Sequence, residues 1–274
     1  MVNLTIGGGS YKGLAFLGAL EYLYKKNYLG VIDNFYGCSV GSIIGVLFII
    51  GYKPLELLNI IINLDLDEFW DLSIENIETK FSILSHKFFD KLEEFFINKK
   101  VNTKITIEQF NKKYDININI FSININNNLV TNFNETNFKD LEILVAIKAS
   151  CSIPFIFPPV IINNEYYVDG CFKCLNGDFH QNKIDKTNIG LGYIIRLNFD
   201  YNPIKDKLDL NEYLNTLLRC LIYNKNTKIV YTKNTLELNL KKKFSNKVSF
   251  NNISYSDKIE LFYEGLQQAI NFYD

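Results

Sequence analysis

The chain has 274 residues, of which 47% are hydrophobic and 15% aromatic, so it can bury a large core. This composition excludes an intrinsically disordered protein. A formal net charge of -1 excludes the broad positive field that nucleic-acid-binding domains use, and we expect no nucleic-acid partner.

The cysteines and the apolar segments indicate the cellular compartment of the protein. Five cysteines, dispersed and without metal-ligand spacing, predict reduced thiols with neither a disulfide framework nor a zinc site. A strand is predicted from Val2 onward, which leaves no room for a signal peptide. The most apolar stretch, Ile43 to Ile50, is shorter than the roughly 20 residues of a membrane span. We expect a cytoplasmic protein with transient, peripheral membrane association.

The N-terminal segments predict two consecutive units of strand, loop and helix. Val2 to Ile6 alternates in polarity and stops at Gly7 to Gly9, after which leucines recur at helical spacing from Leu14 to Leu23. A short strand ending at Gly37 and an apolar helix from Ser42 to Ile50 repeat this order. Parallel strands place such loops at the same edge of a sheet, so we expect the two loops to be neighbours.

The remaining segments predict further helices and two antiparallel hairpins, and therefore an α/β fold with a mixed sheet. In chain order we expect a helix over Pro54 to Leu64, helices within Leu66 to Val101 that cover a site, a hairpin over Ile116 to Phe133, a helix over Asp140 to Ser150, a hairpin over Val160 to Val168, a strand over Leu191 to Phe199, a helix over Leu208 to Leu221, a weak strand near Val248 and a helix over Ser256 to Phe272.

The pentapeptide Gly37-Cys38-Ser39-Val40-Gly41 has the pattern G-x-S-x-G. This pattern is typical of a nucleophile elbow, a turn between a strand and a helix so tight that it needs glycine on both sides. Such a turn exposes the serine hydroxyl at the edge of the sheet, where a carbonyl can reach it. Ser39 is therefore a candidate nucleophile, and the alternative is a glycine-lined turn with an incidental serine.

A serine nucleophile needs a base, and the chain offers three candidates. The two histidines are His86, in the segment predicted to cover the site, and His180, in a polar loop. An α/β-hydrolase would place its histidine late in the chain, after the acid, which favours His180 over His86. The third candidate is Asp169, which follows an apolar strand, precedes Gly170 and is ionised at neutral pH. An Asp-Gly pair is also common in ordinary turns.

The loop from Gly7 to Gly13 does not have the spacing of a phosphate-binding loop, so we expect no nucleotide cofactor. It would instead place a run of backbone amides, those of Gly8, Gly9 and Ser10, at the start of a helix beside the elbow, an arrangement that can stabilise an oxyanion. Lys12 either adds positive charge there or is an ordinary solvated lysine.

Taken together, these motifs resemble the patatin-like phospholipase family. The resemblance extends over roughly residues 2 to 200. It is carried by Lys12-Gly13 and the following helix, the elbow around Ser39, the segment from Ala149-Ser150 to Pro154 with Phe157-Pro158-Pro159-Val160, and Asp169-Gly170. Two positions depart from the family pattern. Ser10 stands where the family has a third glycine, and Cys171 replaces the small residue after Asp-Gly.

The resemblance implies a single domain over residues 1 to 274, a three-layer α/β/α sandwich around a mixed, mainly parallel sheet. It also implies a Ser39-Asp169 dyad, an oxyanion hole at Gly8, Gly9 and Ser10, and hydrolysis of lipid esters or phospholipids without cofactor or metal. Two alternatives remain, namely a Ser-His-Asp hydrolase that acts on soluble esters through His180 and a catalytically silent lipid-binding protein.

A lipid hydrolase needs apolar residues around its site. The candidates for such a rim are aromatic residues that could equally be core, namely Phe88, Phe89, Phe95, Phe96, Phe155 and Phe157. For most of them we expect the core.

Overall fold

A computed structural model describes residues 2–63, 82, 87–174, 192–197, 235–245 and 253–274. Both histidines, the helix predicted over Leu208 to Leu221, the strand predicted near Val248 and most of the segment from Leu66 to His86 lie outside these residues.

Within the described residues the chain forms eight strands and ten α-helices. The strands are β1 (Asn3–Ile6), β2 (Asn34–Cys38), β3 (Asn117–Asn124), β4 (Leu129–Phe133), β5 (Val160–Ile162), β6 (Glu165–Asp169), β7 (Gly192–Leu197) and β8 (Thr235–Leu238). The helices are α1 (Gly13–Lys25), α2 (Val40–Ile49), α3 (Pro54–Ile62), α4 (Lys87–Asn98), α5 (Ile107–Tyr114), α6 (Glu135–Phe138), α7 (Ile143–Ser150), α8 (Cys171–Cys174), α9 (Lys242–Ser245) and α10 (Tyr255–Tyr273).

The strands form one sheet in the order β5-β6-β3-β2-β1-β7-β8, with β4 also paired to β3. The pairs β1–β2, β1–β7, β2–β3 and β7–β8 are parallel, whereas β3–β4, β3–β6 and β5–β6 are antiparallel. The architecture is α/β with a mixed, mainly parallel sheet, as predicted. Both predicted hairpins are present, and the two N-terminal strands are parallel neighbours, so the loops that follow them meet at one edge.

One edge of β3 is shared by two strands, and this sharing creates the site. β2 pairs with the first part of β3, ending with Cys38 opposite Phe121. β6 pairs with the next part in the opposite direction, ending with Asp169 opposite Ser122. β4 pairs with β3 over both stretches and so occupies the other edge. The C-terminal ends of β2 and β6 therefore point at each other.

The helix that follows the glycine loop is held by the last helix of the chain. A Cβ added at Gly18 of α1 would lie 1.9 Å from the Phe262 carbonyl oxygen of α10. A Cβ added at Gly265 of α10 would lie 1.9 Å from the Ala15 carbonyl oxygen of α1. The two backbones thus touch where each helix has a glycine. In the described part of the chain, every helix is too short or too polar to cross a membrane.

Candidate active site

Ser39 occupies a sharp turn between β2 and α2, with φ 51° and ψ -132°. A non-glycine residue with positive φ is strained, and such strain is concentrated at functional sites. The two elbow glycines are required by close packing, because a Cβ at Gly41 would lie 2.2 Å from the Ile6 carbonyl oxygen and one at Gly37 would lie 2.7 Å from the Ser42 Cα. The turn therefore has the tight, glycine-dependent geometry predicted for an elbow.

The hydroxyl of Ser39 donates a hydrogen bond of 2.6 Å to Oδ2 of Asp169, 130 residues away in the sequence. The other carboxylate oxygen, Oδ1, accepts a hydrogen bond of 2.7 Å from the Cys171 amide. Ser39 is 4% exposed and Asp169 is 1% exposed. The carboxylate is thus oriented at both oxygens and aimed at the serine in a site with little water.

Glycine is also required immediately after Asp169. A Cβ at Gly170 would lie 2.5 Å from the Phe121 carbonyl oxygen and 2.7 Å from the Cys38 sulfur. The Asp-Gly pair is therefore a close approach of β6 to β2 and β3, which a larger residue at position 170 would prevent.

Burial raises the pKa of Asp169 from its ordinary 3.8 to about 6, because removal from water disfavours the charged form. The hydrogen bonds from the Ser39 hydroxyl and the Cys171 amide oppose this effect, since both stabilise the carboxylate. A carboxylate with a pKa near 6 is mainly ionised at neutral pH and is a stronger base than an exposed aspartate.

Ser150, at the end of α7, connects the elbow to β3. Its hydroxyl accepts a hydrogen bond of 2.9 Å from the Ser39 amide and donates one of 2.6 Å to the Phe121 carbonyl. The carbonyl of Ser152 accepts a hydrogen bond of 2.8 Å from the Asp169 amide. The same short segment therefore positions the backbone of both Ser39 and Asp169. The sequence motif over Ala149 to Pro154 indicates the family resemblance but does not predict this positioning role.

The glycine loop lies against Ser39, the candidate nucleophile. A Cβ at Gly8 would lie 3.3 Å from the Ser39 Cβ, and one at Gly13 would lie 2.7 Å from the Val40 side chain. Gly9 leads into a single turn of 3-10 helix over Ser10–Lys12, which continues into α1. The structure thus brings the predicted loop residues to the elbow.

Two residues of this loop have unexpected environments. Ser10 adopts φ 53°, a left-handed conformation that glycine favours, which explains why a glycine would suit this position. Lys12 is only 3% exposed, so its interpretation as a solvated lysine is wrong.

Three thiols that are dispersed in the sequence are gathered around Ser39 and Asp169. The sulfurs of Cys38 and Cys171 are 3.7 Å apart, and the sulfur of Cys151 lies 3.8 Å from the Ser42 hydroxyl. All three thiols are buried. One ligand atom each from Cys38, Asp169 and Cys171 lie within 4.8 Å of one another.

The aromatic candidates for an apolar rim divide into two groups. Phe89, Phe96 and Phe157 are buried, as the core interpretation predicts, and Phe95 is partly buried against the core. Phe155 is 52% exposed and remains a candidate for the rim. The side chain of Phe88 lies outside the described part of the structure.

Comparison with known proteins identifies the family. The sequence pattern of the family described as "Patatin-like phospholipase" matches residues 4–176, which include the glycine loop, the elbow and Asp169-Gly170. The chain belongs to the patatin-like phospholipase family. The matched range includes the residues that the fold brings together, and the resemblance seen in the sequence is confirmed.

Two curated relatives come from viruses. The chain is 32% identical over 174 residues to "Probable lipid hydrolase 463L" of Invertebrate iridescent virus 6, which covers 61% of the chain and 59% of that protein. It is 31% identical over 219 residues to "Uncharacterized protein R571" of Acanthamoeba polyphaga mimivirus, covering 77% of the chain and 71% of that protein.

Among solved structures, VipD from Legionella pneumophila is similar to this chain, with a TM-score of 0.67 and 12% identity. The similarity covers 98% of the chain and 66% of VipD. The patatin-like fold is thereby confirmed. The chain spans less than two thirds of VipD and of the iridescent-virus relative.

Proposed function

We propose that this protein is a lipid acyl hydrolase of the phospholipase A type, in which Ser39 and Asp169 form the catalytic dyad. The observation that carries the proposal is the 2.6 Å hydrogen bond from the Ser39 hydroxyl to a buried carboxylate. A serine hydroxyl becomes nucleophilic when a positioned base accepts its proton during attack. Asp169 Oδ2 occupies the place that the histidine takes in a triad, which favours the dyad over the alternative that uses His180.

The reaction has two halves. In the first, Ser39 Oγ attacks the ester carbonyl, Asp169 takes the hydroxyl proton and passes it to the leaving alcohol, and an acyl-serine forms. In the second, Asp169 takes a proton from the water that attacks the acyl-serine and passes it to Ser39 Oγ as the fatty acid leaves, which restores the serine hydroxyl. Neither half requires a cofactor or a metal.

The negative oxygen that forms in each half needs donors held in place before the reaction. We assign this role to the backbone amides of Gly8, Gly9 and Ser10. The assignment is supported by the contact of Gly8 with Ser39 and by the position of the loop immediately before a helix. Lys12, buried in the same loop, adds a positive charge near this oxygen.

Lipid esters are the proposed substrates. The family to which the chain belongs is described as phospholipases, and one relative bears the name of a probable lipid hydrolase. An acyl chain is released from a membrane, so we propose that the protein also binds lipid surfaces peripherally.

A candidate membrane-binding surface lies beyond the edge of the sheet that carries the site. β3 continues for three residues past Phe121, about 10 Å at the usual rise per residue, and its hairpin with β4 extends in the same direction. We call the exposed apolar residues of the two hairpins in this region the hairpin surface: Ile125, Leu129, Val130, Ile161 and Tyr166. Apolar side chains so placed would enter the lipid interface beside the site.

The direct test of hydrolysis measures calcium-independent release of fatty acid from a fluorogenic phospholipid. We expect Ser39→Ala and Asp169→Asn each to lower kcat by at least about 1,000-fold, while the exposed control Asp140→Asn keeps full activity. A fluorophosphonate probe should label the wild type at Ser39. Activity that persists in a folded Ser39→Ala variant would contradict the proposal, and loss of activity in His180→Ala with an intact fold would favour a triad.

The membrane surface is tested separately by flotation with anionic and neutral liposomes. Leu129→Asp combined with Ile161→Asp should abolish flotation and leave hydrolysis of a monomeric ester unchanged, because the dyad is not altered. Val31→Asp is the matched control, since Val31 is 74% exposed and lies before β2, at the opposite edge of the sheet. Equal flotation of the double variant and the control would refute the proposal that the hairpin surface binds membranes.

A further inference from the structure

The site contains a second constellation, formed by the carboxylate of Asp169 and by two thiols that the proposed reaction does not use. Cys38 is the last residue of β2, and Cys171 follows the turn at the end of β6. Their sulfurs and one oxygen of Asp169 lie within 4.8 Å of one another, and all three residues are buried.

We propose that Cys38, Cys171 and Asp169 form a binding site for a thiophilic divalent metal ion, Zn²⁺ in the first instance, and that occupancy of this site inhibits the enzyme. The binding part stands on the geometry of the cluster alone. The inhibition part rests on the proposed function, because it assumes that Asp169 is the catalytic base.

The distance between the two sulfurs fits a shared metal ion. Two thiolates bound at about 2.3 Å in a tetrahedral arrangement are separated by about 3.8 Å, and the sulfurs here are 3.7 Å apart. A disulfide would require them to approach to about 2.05 Å. The thiols therefore need to move little to bind a metal and much more to form a disulfide.

The space around the sulfurs depends on two glycines. A Cβ at Gly8 would lie 1.8 Å from the Cys171 sulfur, and a Cβ at Gly170 would lie 2.7 Å from the Cys38 sulfur. The same Cβ at Gly8 would lie 3.3 Å from the Ser39 Cβ. The cluster therefore adjoins the proposed nucleophile.

The donor set determines which ions bind. Two thiolates and one carboxylate suit Zn²⁺ and Cd²⁺, whereas Mg²⁺ and Ca²⁺ prefer sites made of oxygen alone. Binding releases one proton from each thiol and forms two metal–sulfur bonds and one metal–oxygen bond, with no change of oxidation state. A water molecule completes the tetrahedron.

Inhibition follows from competition for one carboxylate. An Asp169 oxygen that is bound to a metal ion can no longer accept the Ser39 proton, and the positive charge of the ion makes the whole carboxylate a weaker base. The departure of this chain from its family at position 171 thus gives it a means of control by metal ions.

The binding test uses the full chain with its thiols kept reduced by a phosphine. Titration with Cd²⁺ should produce the ultraviolet charge-transfer absorption of cadmium thiolates and saturate at one ion per chain. Ser39→Ala should bind as the wild type does, which separates binding from catalysis. Cys38→Ser and Cys171→Ser should each weaken binding by at least about 100-fold, because each loses a ligand.

Cys151→Ser is the matched control, because Cys151 is equally buried beside the elbow but is not part of the cluster. It should bind Cd²⁺ as the wild type does. Circular dichroism confirms the fold of each variant. Absence of saturable absorption in the wild type, or equal loss of binding in Cys151→Ser, would overturn the site.

The inhibition test measures each protein against its own metal-free activity. Zn²⁺ should inhibit the wild type, and the concentration for half inhibition should rise by at least about 100-fold in Cys171→Ser. Mg²⁺ should have no effect on either protein. Binding of Cd²⁺ without inhibition by Zn²⁺ would refute the regulatory part, and an inactive wild type that binds Cd²⁺ would refute the proposed hydrolase while the metal site stands.

Discussion

The Ser150 hydroxyl accepts a hydrogen bond of 2.9 Å from the backbone amide of Ser39, 111 residues earlier in the chain. The same hydroxyl donates to the Phe121 carbonyl of β3. The strained backbone of the elbow is therefore held partly from outside, by a side chain on α7.

Replacement of Ser150 by alanine should impair catalysis without altering the dyad itself. The Ser39 amide would lose its acceptor in a buried site, so we expect a loss of about 1 to 2 kcal/mol in unfolding free energy. Displacement of Ser39 should lower kcat about 10- to 100-fold with little change in KM. Fluorophosphonate labelling rates and urea denaturation measure the two effects. A labelling rate equal to that of the wild type would show that Ser150 does not position the nucleophile.

The acidic limb of the pH–rate profile should report the ionisation of the Asp169 carboxyl group. Asp169, the proposed base, must be ionised to act, and its pKa in the folded protein is about 6. We therefore expect kcat/KM to fall as the pH drops through about 6 and to be nearly constant between roughly pH 7 and 8. Hydrolysis of a soluble ester measured from pH 4 to 9 tests this. A midpoint near 4 would show that the carboxylate is not desolvated in solution.

The burial of Asp169 should destabilise the fold at neutral pH. The pKa is raised from 3.8 to about 6 on folding, so the folded state binds the proton more tightly and loses stability as the pH rises from about 4 to 6. The full loss is about 3 kcal/mol, and above pH 6 it stays constant. Asp169→Asn, which carries no charge, should therefore be more stable than the wild type at pH 8 and similar to it at pH 4. Urea denaturation at both pH values measures the difference in unfolding free energy between the two proteins.

The left-handed backbone of Ser10 predicts a difference between two substitutions. Ser10→Gly and Ser10→Ala both remove the hydroxyl, but only glycine adopts φ 53° without strain. We expect Ser10→Gly to be more stable than Ser10→Ala by about 1 kcal/mol. Thermal denaturation of the two variants gives the comparison, and equal stabilities would mean that Ser10 is unstrained in solution.

The contact between α1 and α10 should tolerate no side chain at its glycines. Gly18→Ala and Gly265→Ala each place a methyl group against a backbone carbonyl of the other helix, 1.9 Å from its oxygen before relaxation. We expect each to lower the unfolding free energy by about 2 kcal/mol. Gln267→Ala, at an exposed position of α10, should change the unfolding free energy by less than about 0.5 kcal/mol. Similar changes in unfolding free energy for all three variants would show that α1 and α10 separate easily.

Much of the fold was predictable because its signals are local. Alternation of polarity located β1 and both hairpins, and helical spacing of leucines located α1. Glycines on both sides of Ser39 indicated the elbow. Other features depend on contacts between distant segments. The burial of Lys12 and the left-handed φ of Ser10 leave no trace in their neighbouring residues, so sequence patterns could not predict them.

By itself, the sequence determined which residues are candidates for acyl transfer, because an elbow and an Asp-Gly turn are set by short-range backbone geometry. Only the tertiary structure decided how they act together. β2 and β6 share one edge of β3, and this places Asp169 against Ser39. The same convergence buries the carboxylate, which raises its pKa, and gathers cysteines that are scattered along the chain. These properties arise from burial and from contacts between distant segments, which no local pattern contains.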